Sequence, residues 1–219
     1  MNYKKIWNYY NGLFLSPDVD RLRKLLVRYE LYKKSSKVPG DIVECGVFKG
    51  TGMFQWLKFI SIYESSSTKR VIGFDFFNVF KKTKSKIENK SIKKFVSESN
   101  FKGTSLKDLK NLTKKMGLEN KAKFIKGDIK KTIKDFVKKN KGMRISLINL
   151  DLDVEDATSA ALKYLWPLVS KGGIVICDEY GMPGWGESDA IDKYFSKRKD
   201  YVFKKIKFSI KPTLSIVKK

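Results

Sequence analysis

Apolar residues follow two rhythms along this chain. Short, nearly unbroken apolar runs at 41–45 (DIVEC), 70–75 (RVIGFD), 122–126 (AKFIK), 144–150 (RISLINL) and 173–178 (GIVICD) read as buried strands. Segments of helical length separate them, around 51–63, 105–116, 129–139 and 155–169. Ser105 with Asp108 forms a capping-box signal for the second of these helices, and Gly117 is its stop. Upstream, Ser16-Pro17 is an N-cap and first-turn signal, after which Val19, Leu22, Leu26 and Tyr29 repeat at helical spacing to about Lys34. Downstream, a last helix runs from Ser188 to about Phe195, and two strand-like runs, 201–207 and 213–217, are joined by a short turn around Ile210 to Pro212. The pattern predicts an α/β, doubly wound sheet of seven strands: five parallel strands with crossover helices, and an antiparallel hairpin at one edge.

Length bounds this to one domain. The 219 residues suffice for a well-buried α/β core and carry no Pro/Gly/Ser-rich linker, so residues 39–219 are read as the core and 1–38 as an N-terminal helical lid or extension. No apolar run approaches the roughly 18 residues of a membrane span. The start, MNYKKIWNYYNG, lacks the apolar segment of a signal peptide, so a cytoplasmic location is expected. Cys45 and Cys177 end apolar strands and are expected to be small buried hydrophobes rather than a disulfide or a catalytic thiol.

The formal charge of +24 raises the question of a nucleic-acid partner. Arginine, the better bidentate reader of phosphate and guanine, occurs only at Arg21, Arg23, Arg28, Arg70, Arg144 and Arg198. Lysine supplies the rest, enriched together with Asn, Ile, Phe and Tyr as in an AT-rich genome. The lysine runs at 81–94 and 130–141 therefore read as solvated helix faces and loops, with an anionic small substrate or steering toward an anionic surface as the alternative.

The stretch DIVECGVFKGTG at 41–52 is the most informative: an apolar strand, an acidic residue, a glycine-rich turn and a helix that starts near Thr51. In a doubly wound sheet this is where a nucleotide-like cofactor sits, outside the carboxyl ends of the strands and against a helix N-terminus. A phosphate cradle would carry a Lys-Ser/Thr pair, whereas the carboxylate of Glu44 suits an ammonium-bearing ligand such as S-adenosylmethionine (SAM). On that reading Glu44 meets the ammonium, and Gly46, Val47, Phe48, Gly50 and Thr51 wrap the methionine chain. Asp75, with Phe76 beside it, ends the second strand and meets the ribose hydroxyls. Against these stand simpler roles: a tight strand-to-helix turn for the glycines, a cap on the next segment for Asp75, and an N-cap on helix 129–139 for Asp128.

Five β/α units closed by a hairpin form the ground plan of class I methyltransferases. The set VECGVFKGTG, GFDFF, KGDIKKT, LINLDLDVEDAT, KGGIVICDEYG and PGWGESDAIDKYF resembles the macrocin/mycinamicin-type (TylF/MycF) sugar O-methyltransferases over about residues 10–217. The resemblance implies a Rossmann-like class I fold and SAM-dependent methyl transfer to a sugar hydroxyl, usually with magnesium in the site. It places Asp128 near the adenine amino group, Ile129 against the ring, and Asp151 toward the cofactor. It also makes Asp153, Asp178 and Glu179 the ligands of Mg²⁺. Asp178-Glu179 stands where the macrolide-sugar members typically show two aspartates.

The acidic cluster also argues for itself. Asp151 and Asp153 are two apart, so in extended backbone they point to one side, and Asp178 and Glu179 end the neighbouring strand. Several carboxylates at one sheet end repel one another unless a cation or proton intervenes, and hard oxygens suit Mg²⁺. The simpler reading has Asp153 capping the following helix and Glu179 solvated. The chain has no histidine, so a carboxylate, a tyrosine or a lysine serves as general base, or none does; Asp153 is the choice. On the acceptor side, Tyr9, Tyr10 and Phe14, with Tyr180, Trp185 in its Gly184-Trp185-Gly186 loop, and Glu187 as an exposed hydrogen-bonding acid, are the candidates for a lid against a sugar ring.

The expectation is thus an O-methyltransferase acting on a deoxysugar or nucleotide-linked sugar of a surface polysaccharide or natural product, with a homo-oligomer compatible. Two other classes remain: a methyltransferase for nucleic acid, protein or another anionic acceptor, and a non-catalytic SAM-binding subunit. Against the first stand the absence of an Asn/Asp-Pro-Pro-aromatic site and of an extra domain to hold a polymer.

Overall fold

A computed structural model describes residues 3–78, 80–99 and 105–219; Met1 and Asn2 of the expected N-terminal extension lie outside these. The element order is α1 (Tyr3–Phe14), α2 (Asp20–Ser35), β1 (Asp41–Cys45), α3 (Thr51–Tyr63), β2 (Val71–Asp75), α4 (Lys86–Ser99), α5 (Leu106–Lys115), β3 (Ala122–Lys126), α6 (Ile129–Lys139), β4 (Ile145–Leu150), α7 (Glu155–Leu165), β5 (Val169–Cys177), α8 (Glu187–Phe195), β6 (Tyr201–Lys205) and β7 (Leu214–Lys218). One sheet holds all seven strands in the order β3-β2-β1-β4-β5-β7-β6, with β1 to β5 parallel and β7 antiparallel to both β5 and β6. This is the doubly wound sheet with an antiparallel edge that the apolar rhythm predicts.

Burial follows the rhythm too. β1 and β4 are buried along their whole length because helices cover both sheet faces, which is why they read as continuous apolar runs. One core layer packs α6, α7 and α8 against the sheet, through Ile133, Phe136, Leu162, Trp166 and Phe195. The other packs α2 and α3 through Val27, Tyr32, Trp56, Leu57 and Ile60. Cys45 and Cys177 lie fully buried in the first layer, and burial pushes both thiols well above their usual range, so neither is a nucleophile. Among the described residues no helix is long and apolar enough to cross a membrane.

Several local expectations hold in detail. Ser105 Oγ accepts the Asp108 amide, and α5 closes in a Schellman arrangement: left-handed Gly117 donates to Lys114 O and Leu118 donates to Thr113 O. Four differ. First, α2 begins at Asp20, not at Ser16-Pro17, because Ser16 Oγ accepts the Asp18 amide and Asp18 Oδ1 the Asp20 amide, which makes that segment a turn. Second, the helix shows a different face to the core. Val19 and Leu26 are exposed, while Val27, Arg28, Leu31, Tyr32 and Ser35 are buried. Third, the helix expected to run to 169 stops at Leu165, where Pro167 forces a short 3₁₀ turn over Trp166–Leu168; β5 then starts four residues early and bulges between Val169 and Ile174, with Gly172 left-handed. Fourth, the lysine run at 81–94 contains a helix, α4, which the apolar pattern did not announce. Its inward residues include Glu88, which accepts the Glu155 amide, and Ser91, which donates to Gly184 O.

The chain winds outward from β1 to β2 and β3, then returns to β4 on the other side. The switch point therefore falls between the carboxyl ends of β1 and β4.

Candidate active site

At that switch point the glycine turn is fitted to its own protein before any ligand is considered. Gly46 adopts φ +91°, and a Cβ there would sit 1.8 Å from the Asp151 carbonyl oxygen, so only glycine lets β1 and β4 end side by side. A Cβ on Gly52 would lie 2.1 Å from Glu44 Oε1; this glycine opens the space that the carboxylate fills. Gly50, left-handed, is the N-cap of α3. Among the described residues, the three non-glycine residues with positive φ are Phe48, Phe77 and Asp153, and all lie in loops that leave the carboxyl ends of β1, β2 and β4. Strained backbone of this kind gathers at functional sites because it costs stability elsewhere.

Each expected cofactor residue is at this end, but most already have partners. Glu44 is 1% exposed. Its Oε2 accepts the Trp56 indole N–H at 2.6 Å, and Arg28 stands 3.9 Å from Oε1. Burial pushes its carboxyl up to about 7 against the pull of Arg28. Asp75 gathers three backbone amides: Val47 and Phe48 donate to Oδ2 at 2.8 and 2.9 Å, and Phe77 donates to Oδ1 at 2.7 Å. It therefore both shapes the glycine turn and caps the next segment, with one lone-pair direction of its four left for a ligand. Asp128 is the N-cap of α6, accepting the Lys130 amide at 3.0 Å, and Ile129 behind it is buried. Phe76 lies just beyond β2 with Lys81 over its ring, and Thr51 opens α3.

The acidic residues share this end of the sheet, though not by strand alternation. β4 ends at Leu150, and Asp153 sits in a left-handed turn at φ +65° whose carbonyl accepts the Gly186 amide at 3.0 Å. Asp153 is pushed well above the ordinary carboxylate range by burial, then by Asp151, Glu179 and Asp178. Asp178, 1% exposed, rises to about 6, from burial and Asp151 against the pull of Lys24. Burial raises Glu179 as well, although Lys211 binds its Oε1. Asp178 Oδ1 and Glu179 Oε2 are buried without any hydrogen-bond partner. Glu187, expected as an exposed acid, is instead completely buried: it begins α8, its Oε1 accepts the Glu179 amide at 3.0 Å, and burial with Asp178 lifts its carboxyl well above the usual range.

The cations of this site escape sequence reasoning. Lys24 Nζ is 2.6 Å from Asp178 Oδ2 and 3.5 Å from Asp151 Oδ2, and Arg28 lies 3.6 Å from Asp151 while bonding Gln55 at 2.9 Å. Spaced four apart, both lie on one face of α2. That spacing was the available signal, but it lay on the side opposite the apolar repeat. Burial works against the Lys24 charge, yet Asp151 and Asp178 hold its ammonium above the usual value. Glu88 of α4 was also missed: buried, it accepts the Glu155 amide at 2.8 Å at the N-terminus of α7, and Ser91 ties the same helix to Gly184 O at 2.9 Å.

The aromatic candidates divide. Tyr9, Tyr10 and Phe14 lie on α1 and are more than half exposed. Tyr180 is held against the core by Thr213, which donates to its carbonyl, and by its own hydroxyl on Asp192 at 2.9 Å; burial pushes its phenol up to about 12. Trp185 is half-buried in the loop that Ser91 anchors. An open groove of about 720 Å³ lies at the opposite end, among the residues that precede β1, β2 and β4, and is walled by the Lys69–Glu64 and Arg70–Asp41 ion pairs.

A sheet of this order with a glycine turn and an acidic centre at the β1/β4 switch point invites comparison with known proteins. The family described as macrocin O-methyltransferase (TylF) matches residues 19–202, well over half of the chain. The chain belongs to this family. It is a SAM-dependent O-methyltransferase with the class I fold. Among solved structures it is similar to the calicheamicin methyltransferase CalS11, at 22% identity and TM-score 0.74, covering 100% of this chain and 86% of that one. The apo structure of CalS11, described as a TDP-rhamnose 3'-O-methyltransferase, matches at 25% identity and TM-score 0.70 over 95% and 83%. The O-methyltransferase NovP matches at 21% and 0.70 over 92% and 80%. No curated protein matches.

Proposed function

We propose that this O-methyltransferase acts on a hydroxyl of a sugar, a deoxysugar or nucleotide-linked sugar that belongs to a surface polysaccharide or natural product. The observation that carries the reading is the placing of Asp153, Asp178 and Glu179 in the loops that follow β4 and β5, beside the proposed cofactor end. CalS11 acts on a TDP-linked sugar, and the lysine excess of this chain favours an anionic acceptor of that chemistry.

In this reading Glu44 meets the ammonium of SAM, the turn from Gly46 to Thr51 lies along its methionine chain, Asp75 takes the ribose, and Asp128 and Ile129 border the adenine. SAM supplies an activated methyl group when bound. Asp153 takes the proton of the acceptor hydroxyl on a carboxylate oxygen. Burial and the neighbouring carboxylates Asp151, Glu179 and Asp178 raise its proton affinity above that of an exposed aspartate. The left-handed turn and the Gly186 contact hold that carboxylate in place, so that little reorganisation is needed during the reaction.

A divalent cation, Mg²⁺, fits the same centre by its donor chemistry: hard carboxylate oxygens, two of them buried and without a partner. Among the described residues no three such side chains are gathered to hold a metal, and Lys24 and Lys211 pair with Asp178 and Glu179. Asp153, Asp178 and Glu179 are the proposed ligands; Asp151, which shares Lys24 with Asp178, is the rival for the first position. The cation would offset the charge that develops on the acceptor oxygen. Tyr9, Tyr10, Phe14 and Trp185 form the proposed acceptor surface, while Glu187 and Tyr180 are held within the protein by Glu179 and by Asp192 and Thr213.

The test is a screen of nucleotide sugars with methyl-labelled SAM, before and after exhaustive chelation. Transfer to a sugar nucleotide, abolished by EDTA and restored by Mg²⁺, supports the reading. Transfer to oligonucleotides instead would replace the acceptor class, and full activity without metal would remove the cation and leave Asp153 a simple base.

A further inference from the structure

Residues 4–21 are exposed without exception, and they take in nearly all of α1. The polarity of this helix is nonetheless sorted. Ile6, Trp7, Tyr10, Leu13 and Phe14 follow the i, i+1, i+4, i+7, i+8 spacing that puts them on one side, while Lys4, Lys5, Asn8, Asn11 and Gly12 fall on the other. The apolar side chains of this stripe are 37–61% exposed. Their rings stand in one row, Trp7 to Tyr10 at 5.8 Å and Tyr10 to Phe14 at 4.8 Å. An amphipathic helix whose apolar face is in solvent marks a surface for an outside partner.

Charge, area and residue type decide what that partner is. Residues 1–17 carry Lys4 and Lys5 but no acidic side chain, and the whole chain has a formal charge of +24. A second copy would bring the same charge to the contact. The 12 residues of α1 make a helix about 18 Å long with roughly 200 Å² on one face, well below the about 800 Å² per partner of a stable protein interface. A helix of this length is also too short to span a bilayer. Trp and Tyr, apolar rings with a polar tip, favour the boundary between headgroups and acyl chains; aliphatic side chains sink just below it, and lysine meets anionic headgroups. We propose that α1 is a surface anchor: it lies in the plane of an anionic lipid bilayer, with the stripe from Ile6 to Phe14 among the acyl chains and Lys4 and Lys5 at the headgroups. The anchor goes beyond the acceptor reading and competes with it for Tyr10 and Phe14, since a ring held in lipid is withdrawn from a sugar in solution. The variants that test it therefore leave both rings in place.

The experiment is co-sedimentation of the full chain with vesicles of phosphatidylcholine, with and without phosphatidylglycerol. Wild type should bind the mixed vesicles about tenfold or more tightly than phosphatidylcholine alone. The triple variant Ile6→Ser, Trp7→Ser, Leu13→Ser should lose about tenfold or more of that binding, with Tm unchanged because all three side chains are exposed. Lipid brominated in its acyl chains should quench wild-type tryptophan fluorescence, and Trp7→Phe, which keeps the apolar face, should still bind but lose most of the quenching. Wild type that stays in solution with the mixed vesicles overturns the anchor. Equal binding by the folded triple variant overturns it too, and gives the affinity to the lysine runs. A wild-type dimer that the triple variant breaks into monomers, without lipid binding, assigns the face to a second copy instead. If the triple variant does not fold, the quenching decides: equal quenching of wild type and Trp7→Phe overturns the proposal.

Discussion

The two halves of the site are built by opposite means. The cofactor half comes from consecutive residues: β1, the turn after it and the start of α3 place Glu44, Gly46, Val47, Phe48, Gly50 and Thr51 within a dozen positions, and Asp75 binds that turn from the neighbouring strand. Its polar atoms mostly find partners inside the protein. The proposed acceptor half draws on residues far apart in the chain: α2, α4, the loops after β4 and β5, and the β6–β7 connection. It keeps bare buried oxygens, aromatic rings in solvent and lysines as stand-in charges. A pocket whose ligand does not vary can be finished in advance, whereas a pocket for a polar acceptor and a cation has to leave atoms unsatisfied until they arrive.

This contrast is open to attack at several points. The largest effect is expected at Glu44. Glu44→Ala leaves the buried Trp56 indole N–H without its acceptor and takes one of two carboxylates from Arg28, which costs about 1–3 kcal/mol of folding stability, and denaturant titration would show it. Glu44→Gln should restore much of the stability but little of the SAM affinity measured by calorimetry. If both variants bind SAM as wild type does, Glu44 is purely structural and the finished half contains less of the cofactor site than proposed.

Next comes Asp153→Asn, which keeps shape and removes charge and basicity. Methyl transfer should fall by about 10² or more while SAM affinity stays within about threefold. Asp151→Asn is the matched comparison. A greater loss from Asp151 than from Asp153 would move the catalytic role to the residue that shares Lys24 with Asp178.

A third prediction concerns pH. Glu44 and Asp178 have ordinary values of 4.5 and 3.8 and rise to about 7 and about 6 in the fold. The native state therefore binds more protons than the unfolded chain between about pH 4 and 7, and the stability these two groups contribute at low pH is lost as pH rises through that window. Metal-free protein should melt several degrees higher at pH 5 than at pH 8, at about 2–4 °C per kcal/mol. Asp178→Asn should flatten part of the slope. A Tm that climbs steadily from pH 5 to 8 would contradict this account of the acidic centre.

The smallest effect belongs to the exposed rings. Tyr10→Ala and Trp185→Ala should each raise the acceptor KM about 2–10-fold, the range of one aromatic contact, with Tm and SAM affinity unchanged. A fall in Tm of several degrees for Trp185→Ala, with KM unaltered, would make that ring a packing residue of the Ser91-anchored loop.

How far the site was legible depends on how local each residue's task is. The strand-turn-helix of 41–52 declared itself because backbone geometry demands glycine at particular positions. Even so, the reason at Gly46 is the approach of Asp151 from β4, which adjacent residues do not reveal. Asp151 and Asp153 were singled out for a strand geometry that stops at Leu150; Asp153 lies instead in a left-handed turn. Glu187 was expected in solvent and is wholly buried, because the Glu179 amide needs an acceptor there. On α2, the apolar repeat selected Val19 and Leu26, yet the helix turns Lys24 and Arg28 inward. Compensating the buried carboxylates of Glu44 and Asp178 outweighs covering two aliphatic side chains.

The amino-acid sequence by itself determined the alternation of strands and helices, the doubly wound order, the antiparallel edge and the cofactor turn. Those properties depend on apolar periodicity and on backbone conformations that a few residues impose locally. The tertiary structure alone decided which face of α2 is buried, that α4 reaches the acidic loop through Glu88 and Ser91, and that lysines from two remote segments share the carboxylates at the ends of β4 and β5. The physical reason is that a buried charge is balanced by whichever opposite charge the fold brings within about 4 Å, and that distance in space leaves no periodic trace along the chain.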